Sequence, residues 1–181
     1  MDVPYHKLSN SNMELSARLR DEMIVLLAED REDDILLVKR ALANAGVKNP
    51  LFIVRDGEQV IEYLSGVGIY SNRAEYPIPD LLLLDLKMPK LDGFEVLRWV
   101  RSQPFLKMLR IIVLTSSEDI YDVNQAYELG ANSFLVKPLE FENYEALART
   151  LGKYWLQFNR SPTITEQPLK PKVPEPEVKP T

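Results

Sequence analysis

One carboxylate follows directly after a short, wholly apolar run. Asp85 comes after four leucines at residues 81–84, and Met88-Pro89 and Asp92-Gly93 follow it. The run predicts a buried strand, and open α/β sheets bind their ligands in the crevice outside the carboxyl ends of their strands. A charged group in that position is unfavourable unless a cation or hydrogen bonds stabilise it. The pattern therefore predicts a functional aspartate that is stabilised by other polar groups.

Polar residues also stand at the ends of three other apolar runs. Glu29 and Asp30 follow the first run, Thr115 ends the fourth, and Lys137 follows the fifth. Because the carboxyl ends of parallel strands lie on one side of a sheet, we expect these residues to share a site with Asp85. Crowded carboxylates repel one another, and their pKa values rise unless a cation is present.

The residue types at this site favour phosphoryl transfer onto a carboxylate. Mg²⁺ prefers oxygen ligands and is often held by one or two carboxylates together with phosphate oxygens. Asp85 is the candidate nucleophile, while the Lys137 ammonium and the Thr115 hydroxyl are candidate partners for the phosphoryl oxygens. Taken singly, each residue also has a structural explanation, such as Asp30 acting as a helix N-cap. The compatible chemistry at all four strand ends favours the shared site.

Alternating strand and helix patterns predict the elements that position these residues. The strand-like runs cover residues 23–27, 51–54, 81–84, 111–114 and 134–136. The helical patterns cover residues 35–45, 57–65, 96–100, 119–130 (with Ser116 or Ser117 as N-cap) and 141–158. Five such β-α units indicate an α/β fold with a doubly wound, five-stranded parallel sheet and helices on both faces. The longer segment 66–79 is either mobile or a contact surface.

Composition limits the other classes of function. The formal net charge of −5 disfavours nucleic-acid binding, and the absence of cysteine excludes disulfides and thiolate chemistry. No apolar run approaches the roughly 20 residues needed to span a bilayer, so we expect a cytoplasmic protein. We predict an N-terminal arm at 1–22, one domain at 23–160, and a disordered Pro-rich tail at 161–181. The single histidine, His6, lies in the arm and is expected to be inert.

The ordered set of motifs resembles the receiver domain of two-component response regulators. The motifs that carry the resemblance are Glu29-Asp30, Asp85 to Pro89 with Asp92-Gly93, Thr115-Ser116, and Phe134 three residues before Lys137-Pro138. The resemblance covers about residues 23–158 and implies the flavodoxin-like strand order 2-1-3-4-5.

The resemblance also implies a role for each site residue. Asp85 would accept the phosphoryl group, Thr115 and Phe134 would form the switch, and Lys137 would sense the phosphoryl group. The implied Mg²⁺ ligands are Glu29, Asp30 (the more direct of the pair), Asp85 and the backbone carbonyl of Lys87. The protein would then be a single-domain regulator that catalyses only its own phosphotransfer and dephosphorylation, and it would not be an enzyme with a separate substrate.

Finer features resemble the small regulators that are paired with phytochrome-type kinases. These features are residues 127–132, the long segment before Asp80, and Tyr154-Trp155-Leu156. The implied partner is a sensor histidine kinase of the phytochrome type. Because no effector-domain motif follows the domain, we expect the signal to leave through a protein contact. The aromatic last helix makes a homodimer through the last helices and the fifth strand one form of that contact, and we expect no nucleic acid or membrane to take part.

Three positions differ from the commonest receiver pattern or add to it. Glu29 replaces the first of two aspartates but still offers an oxygen ligand. Phe134 stands where tyrosine is frequent, so this ring can act only by packing. Lys87 places a second cation two residues after Asp85, and we predict that it alters the lifetime of the aspartyl phosphate.

Three alternative functions are compatible with parts of this pattern. A hydrolase of the haloacid-dehalogenase type would need an aspartate where Lys87 stands, together with a cap domain. A flavin or nucleotide binder would need a phosphate loop in place of Glu29-Asp30. A scaffold that has lost phosphorylation would not need to keep the residues used in phosphorylation, and this chain has the expected residue type at each of those positions.

Overall fold

The computed structural model describes residues 23–159, and the predicted arm and tail lie outside this range. The strands are β1 (Val25–Ala28), β2 (Leu51–Val54), β3 (Leu81–Leu84), β4 (Arg110–Thr115) and β5 (Ser133–Val136). The α-helices are α1 (Glu32–Asn44), α2 (Gly57–Ser65), α3 (Gly93–Ser102), α4 (Ile120–Glu128) and α5 (Phe141–Leu151). Short 3₁₀ helices at Gly68–Ser71 and Pro104–Leu106 and a π-helix at Gly152–Phe158 complete the elements.

The five strands form one parallel sheet in the order β2-β1-β3-β4-β5, as the sequence predicted. The register pairs Ala28 with Val54 on one side and with Leu84 on the other, and it pairs Thr115 with Val136. The carboxyl ends of β1, β2 and β3 are therefore level, and β4 and β5 continue two residues further. This alignment brings the residues that follow β1, β3, β4 and β5 to one edge of the sheet.

Alternate residues of each strand pack into two separate cores. Leu26, Leu82 and Ile111 belong to the core beneath α2, α3 and α4. Leu27 and Leu83 belong to the core beneath α1 and α5. Side chains of successive strand residues point to opposite faces, and both faces here are covered by helices. This explains why the strands read as continuous aliphatic runs in the sequence.

The long segment between α2 and β3 packs against the molecule. Tyr70 is buried, and its ring lies 5.1 Å from that of Tyr63 and 5.2 Å from that of Tyr76. Arg73 donates hydrogen bonds to the carbonyl oxygens of Tyr63, Leu64 and Tyr76. These contacts fix the segment against α2 and the core beneath α2, α3 and α4.

Two predicted helix boundaries were wrong. The N-cap of α4 is Asp119, whose side chain accepts a hydrogen bond from the Tyr121 N–H, whereas the Ser117 hydroxyl binds the Asp122 carboxylate. A carboxylate closer to the helix thus replaces the predicted serine cap. The last helix is α-helical only as far as Leu151 and continues as a π-helix.

The described residues, 23–159, contain no helix that is both long enough and apolar enough to cross a membrane.

Candidate functional site

Asp85 lies immediately after β3, the central strand, and is 4% exposed. Its Oδ1 accepts a hydrogen bond of 3.3 Å from the backbone N–H of Lys87. The loop that follows folds back on the strand, and a Cβ atom at Gly93 would lie 2.5 Å from the Asp85 carbonyl oxygen. Asp92 then caps α3 through a reciprocal pair of hydrogen bonds with Glu95. The Asp92-Gly93 motif therefore allows the loop to close tightly beneath Asp85.

Three carboxylates converge at this edge of the sheet. Glu29, Asp30 and Asp85 each offer an oxygen, and these oxygens lie within 4.8 Å of one another. Glu29 and Asp85 are buried, and Asp30 is exposed, so one side of the group is open to solvent. A set of carboxylate oxygens with room for water is the donor set that Mg²⁺ prefers. These residues fit a divalent cation, and they are the residues that would hold it.

Lys137 supplies the positive charge that stabilises the buried carboxylates. Its Nζ lies 2.9 Å from Asp85 Oδ2, 2.5 Å from Glu29 Oε2 and 2.9 Å from Asp34 Oδ2. The backbone N–H of Lys137 donates a 2.7 Å hydrogen bond to the Thr115 carbonyl oxygen, which fixes the lysine backbone beside the end of β4. The ammonium thus has a carboxylate partner for each of its three protons.

The pKa values of Lys137 and Glu29 reflect this crowding. Burial alone lowers the pKa of the Lys137 ammonium, but the hydrogen bonds with Glu29 and Asp34 and the charge of Asp85 raise it above its ordinary value. Burial raises the pKa of Glu29 to about 7, and the hydrogen bond and charge of Lys137 offset only part of that rise. The positive charge of Lys137 therefore offsets only part of the cost of burying the Glu29 carboxylate.

Thr115 and Phe134 lie on the neighbouring strands β4 and β5. Thr115 is fully buried at the end of β4, and its Oγ1 accepts a 3.4 Å hydrogen bond from the Ser117 N–H. Phe134 is half-buried in β5 and packs against the core beneath α2, α3 and α4. Its N–H donates a 3.2 Å hydrogen bond to the hydroxyl of Tyr127 in α4. The hydrogen bond between Phe134 and Tyr127 thus joins β5 to α4.

Asp34 is the site residue that the sequence analysis missed. It lies in the first turn of α1 and is buried, although it is charged. Its position carried a usable signal, because residues 34 and 38 lie four apart and so share one helix face. Val38 belongs to the apolar face that packs on the sheet. An aspartate that extends such a face is directed toward the sheet and needs a cation there.

The simple structural explanation for Asp30 was wrong. The N-cap of α1 is Arg31, and no side chain makes a capping hydrogen bond there. Asp30 remains exposed beside Glu29 and Asp85, within the group of oxygens described above.

Fold and site together define a doubly wound α/β domain with a carboxylate-ammonium cluster at the ends of its strands. The sequence profile of the response regulator receiver domain matches residues 25–149. The chain belongs to the response regulator receiver family. Members of this family are regulators that are phosphorylated on an aspartate, and they bind Mg²⁺ or Mn²⁺ at an acidic site. Their phosphoryl donors are histidine kinases.

Two relatives and two solved structures match most of the chain. It is 36% identical to the response regulator Rcp1 of Synechocystis over 74% of this chain and 89% of Rcp1. It is 35% identical to a probable methanogenesis regulatory protein, FilR2, of Methanothrix harundinacea, over 78% of this chain and 89% of FilR2. A structure of the phosphorylated cyanobacterial phytochrome response regulator RcpA matches with a TM-score of 0.73 and 34% identity, over 78% of this chain and 99% of RcpA. Rcp1 has also been crystallised in a Mn²⁺-bound form, whose structure matches with a TM-score of 0.71.

Proposed function

We propose that the protein accepts a phosphoryl group on Asp85 from a sensor histidine kinase and signals through a surface that changes on phosphorylation. The observation that carries this proposal is the position of Lys137 Nζ, 2.9 Å from Asp85 Oδ2, next to a group of three carboxylates that suits Mg²⁺. These groups stabilise a nucleophilic carboxylate and then the negative phosphoryl oxygens, which is the main task in phosphoryl transfer.

Each residue has a distinct part in the transfer. An Asp85 oxygen forms the new P–O bond while the P–N bond to the donor histidine breaks, so the phosphoryl group moves and the histidine departs with its electron pair. Lys137 turns its ammonium toward the phosphoryl oxygens, and the Thr115 hydroxyl donates to another of them. Glu29, Asp30, Asp85 and the Lys87 carbonyl would hold Mg²⁺, which would neutralise part of the negative charge of the transfer.

The added charge then changes the surface formed by α4 and β5. Phosphorylation adds about −1.5 to −2 charges and three acceptor oxygens. Thr115 moves toward these oxygens, and Phe134 moves into the space that the β4-α4 loop leaves. The hydrogen bond between the Phe134 N–H and the Tyr127 hydroxyl supports this route, because it links β5 to α4. The result is a local switch between two arrangements.

The kinase that we propose is of the phytochrome type. The support is the resemblance to RcpA, which is described as a phytochrome response regulator, together with the match over nearly the whole length of that chain. We also propose that two copies associate through β5 and the segment after α5, where Tyr154 and Phe158 expose their rings to solvent.

Intact mass spectrometry after incubation with acetyl phosphate and Mg²⁺ tests the central claim. We expect the wild-type protein to gain the mass of one phosphoryl group and the Asp85→Asn variant to gain none. Asp33→Asn is the matched control, because Asp33 is an exposed aspartate of α1, and this variant should be phosphorylated normally. An Asp85→Asn protein that is phosphorylated as fully as the wild type would refute the proposal.

A phosphomonoester hydrolase is the second function to test. It has the same nucleophile but needs a general acid two residues later, where this chain has the exposed Lys87. We expect no release of phosphate from small phosphomonoesters. Sustained turnover that depends on Asp85 would favour the hydrolase.

A further inference from the structure

Asp34 differs from the other carboxylates that contact Lys137. Its side chain is 12% exposed, and Oδ2 accepts a 2.9 Å hydrogen bond from Lys137 Nζ. Arg31 Nε approaches the same oxygen at 3.9 Å, but the Arg31 side chain is 64% exposed and contributes little. Lys137 is therefore the main cationic partner of Asp34.

The three partners of Lys137 do not all remain available to it. Glu29 and Asp85 belong to the group of carboxylates whose oxygens can hold a cation together, and Asp34 lies outside that group. A cation that draws on Glu29 and Asp85 competes with the ammonium for the same oxygens. Asp34 is then the partner that Lys137 keeps.

This remaining contact matters because of charge. An ammonium that is buried beside a divalent cation is repelled by it and has lost its contact with water. A carboxylate that contacts the ammonium and lies outside the cation group, as Asp34 does, offsets both effects. It also keeps the nitrogen close to Asp85 while the cation is bound.

We propose that Asp34 is a positioning residue that holds the Lys137 ammonium in place when a divalent cation engages Glu29 and Asp85, and so supports binding of that cation. This inference deepens the proposed function, because Lys137 must be in place before phosphoryl oxygens arrive. Its tests use Mg²⁺ alone and no phosphoryl donor.

The first test is the affinity for Mg²⁺, measured by calorimetry on the full chain. We expect Asp34→Asn to weaken Mg²⁺ binding by about tenfold, the lower end of the effect that loss of a supporting group has around a metal site. Asp33→Asn removes the same charge from the same helix turn without touching Lys137, and it should bind Mg²⁺ like the wild type. Asp34→Glu restores the charge and should recover most of the affinity.

The second test is the ¹⁵N-detected signal of the Lys137 side-chain ammonium, assigned by its disappearance in Lys137→Met. In the wild type we expect a slowly exchanging signal with and without Mg²⁺. In Asp34→Asn we expect that signal without Mg²⁺, because Glu29 and Asp85 still hold the nitrogen, and its loss through rapid exchange when Mg²⁺ is added. A purely structural role for Asp34 would not make the signal depend on Mg²⁺ in this way.

The results that overturn the inference are distinct from those that overturn phosphorylation. The inference would be refuted if the Asp34→Asn variant behaved like the Asp33→Asn variant in both tests. It would also be refuted if the Asp34→Glu variant bound Mg²⁺ as weakly as the Asp34→Asn variant. Failure of wild-type Asp85 to be phosphorylated would instead refute the proposed function and leave the two Mg²⁺ measurements interpretable.

Discussion

Lys137 holds a single positive charge among three carboxylates that it contacts directly. Its Nζ is within 2.9 Å of oxygens from Glu29, Asp34 and Asp85. Breaking a buried ion pair by removing one partner typically costs several kcal/mol, because an uncompensated charge remains. The residues of the site are therefore coupled, and a change at one of them alters the charge balance at the others.

The first prediction at the residue scale concerns pH. Glu29 has a folded-state pKa of about 7 against an ordinary value of 4.5, so the folded protein holds this proton more tightly than the unfolded chain does. Protonation of Glu29 therefore adds to the free energy of unfolding. This contribution is fully present below about pH 4.5 and is lost as pH rises through 7. Mg²⁺ binds the ionised carboxylate, so its affinity should be about tenfold higher at pH 8 than at pH 6.

Calorimetric titration with Mg²⁺ at these two pH values measures the difference. The Glu29→Gln variant is the control, because it has no proton to release and should show a much smaller dependence on pH. Equal wild-type affinities at pH 6 and pH 8 would contradict this assignment.

The second prediction at the residue scale concerns Lys87. Its side chain is exposed, and its backbone N–H contacts the Asp85 carboxylate. During hydrolysis of the aspartyl phosphate, negative charge moves from the phosphoryl oxygens to the leaving carboxylate in a loose transition state. A cation near the phosphoryl oxygens therefore stabilises the aspartyl phosphate more than it stabilises that transition state. An exposed charge contributes up to about 1 kcal/mol, so Lys87→Asn should shorten the phosphate lifetime by up to about fivefold.

A dephosphorylation time course followed by intact mass measures this lifetime. Lys107→Asn, at an exposed lysine in the segment before β4, is the matched control and should decay like the wild type. If Lys87→Asn also decays at the wild-type rate, Lys87 has no influence on the phosphoryl group.

At the scale of elements, β4 and β5 connect the site to the surface. Thr115 ends β4 and pairs in register with Val136, and its carbonyl oxygen accepts the Lys137 N–H. Phe134 precedes Val136 in β5, where its backbone N–H reaches Tyr127 of α4. We therefore expect a movement of Thr115 to be transmitted along two paired strand ends to a helix.

Replacement of Thr115 tests this connection. Thr115→Ala should still be phosphorylated, because Asp85 and Lys137 remain, but it should lose most of the phosphorylation-dependent change in the amide NMR signals of Ser133–Val136. Thr115→Ser keeps the hydroxyl and should retain the change. An alanine variant whose β5 signals shift as in the wild type would show that the signal takes another route.

At the scale of the whole molecule, the sheet has two edge strands, β2 and β5, within residues 23–159. Beyond β5 the π-helix exposes apolar rings: Tyr154 is 56% exposed, and Phe158 is 75% exposed. Trp155 packs inward against the core beneath α1 and α5. Exposed aromatic rings next to a sheet edge are a feature of surfaces that bind other proteins.

Sedimentation velocity of the full chain tests whether this surface joins two copies. We expect a dimer whose dissociation constant rises at least about tenfold when Tyr154 and Phe158 are both changed to Glu, since charged groups would have to be buried at the contact. Ile69→Glu, at an exposed apolar residue between α2 and β3, is the control and should leave the dimer intact. A double variant that associates as strongly as the wild type would place the contact elsewhere.

The sequence alone determined the α/β class, the five strands and four of the strand ends that form the candidate site. Covered parallel strands must be aliphatic on both faces, and their polar residues then collect where the strands end. Glu29, Asp85, Thr115 and Lys137 could be picked out for this reason before any contact was known. The family pattern added the expected order of the sheet.

Only the tertiary structure decided which groups share the ammonium and where the helices begin and end. Asp34 contacts Lys137 across 103 positions of the chain, a separation that no local pattern encodes. The choice of Asp119 over Ser117 as the α4 cap depended on the competing hydrogen bond between Ser117 and Asp122. Strand ends follow from periodic burial along one segment, whereas ion-pair partners and caps follow from the packing of segments that are distant in sequence.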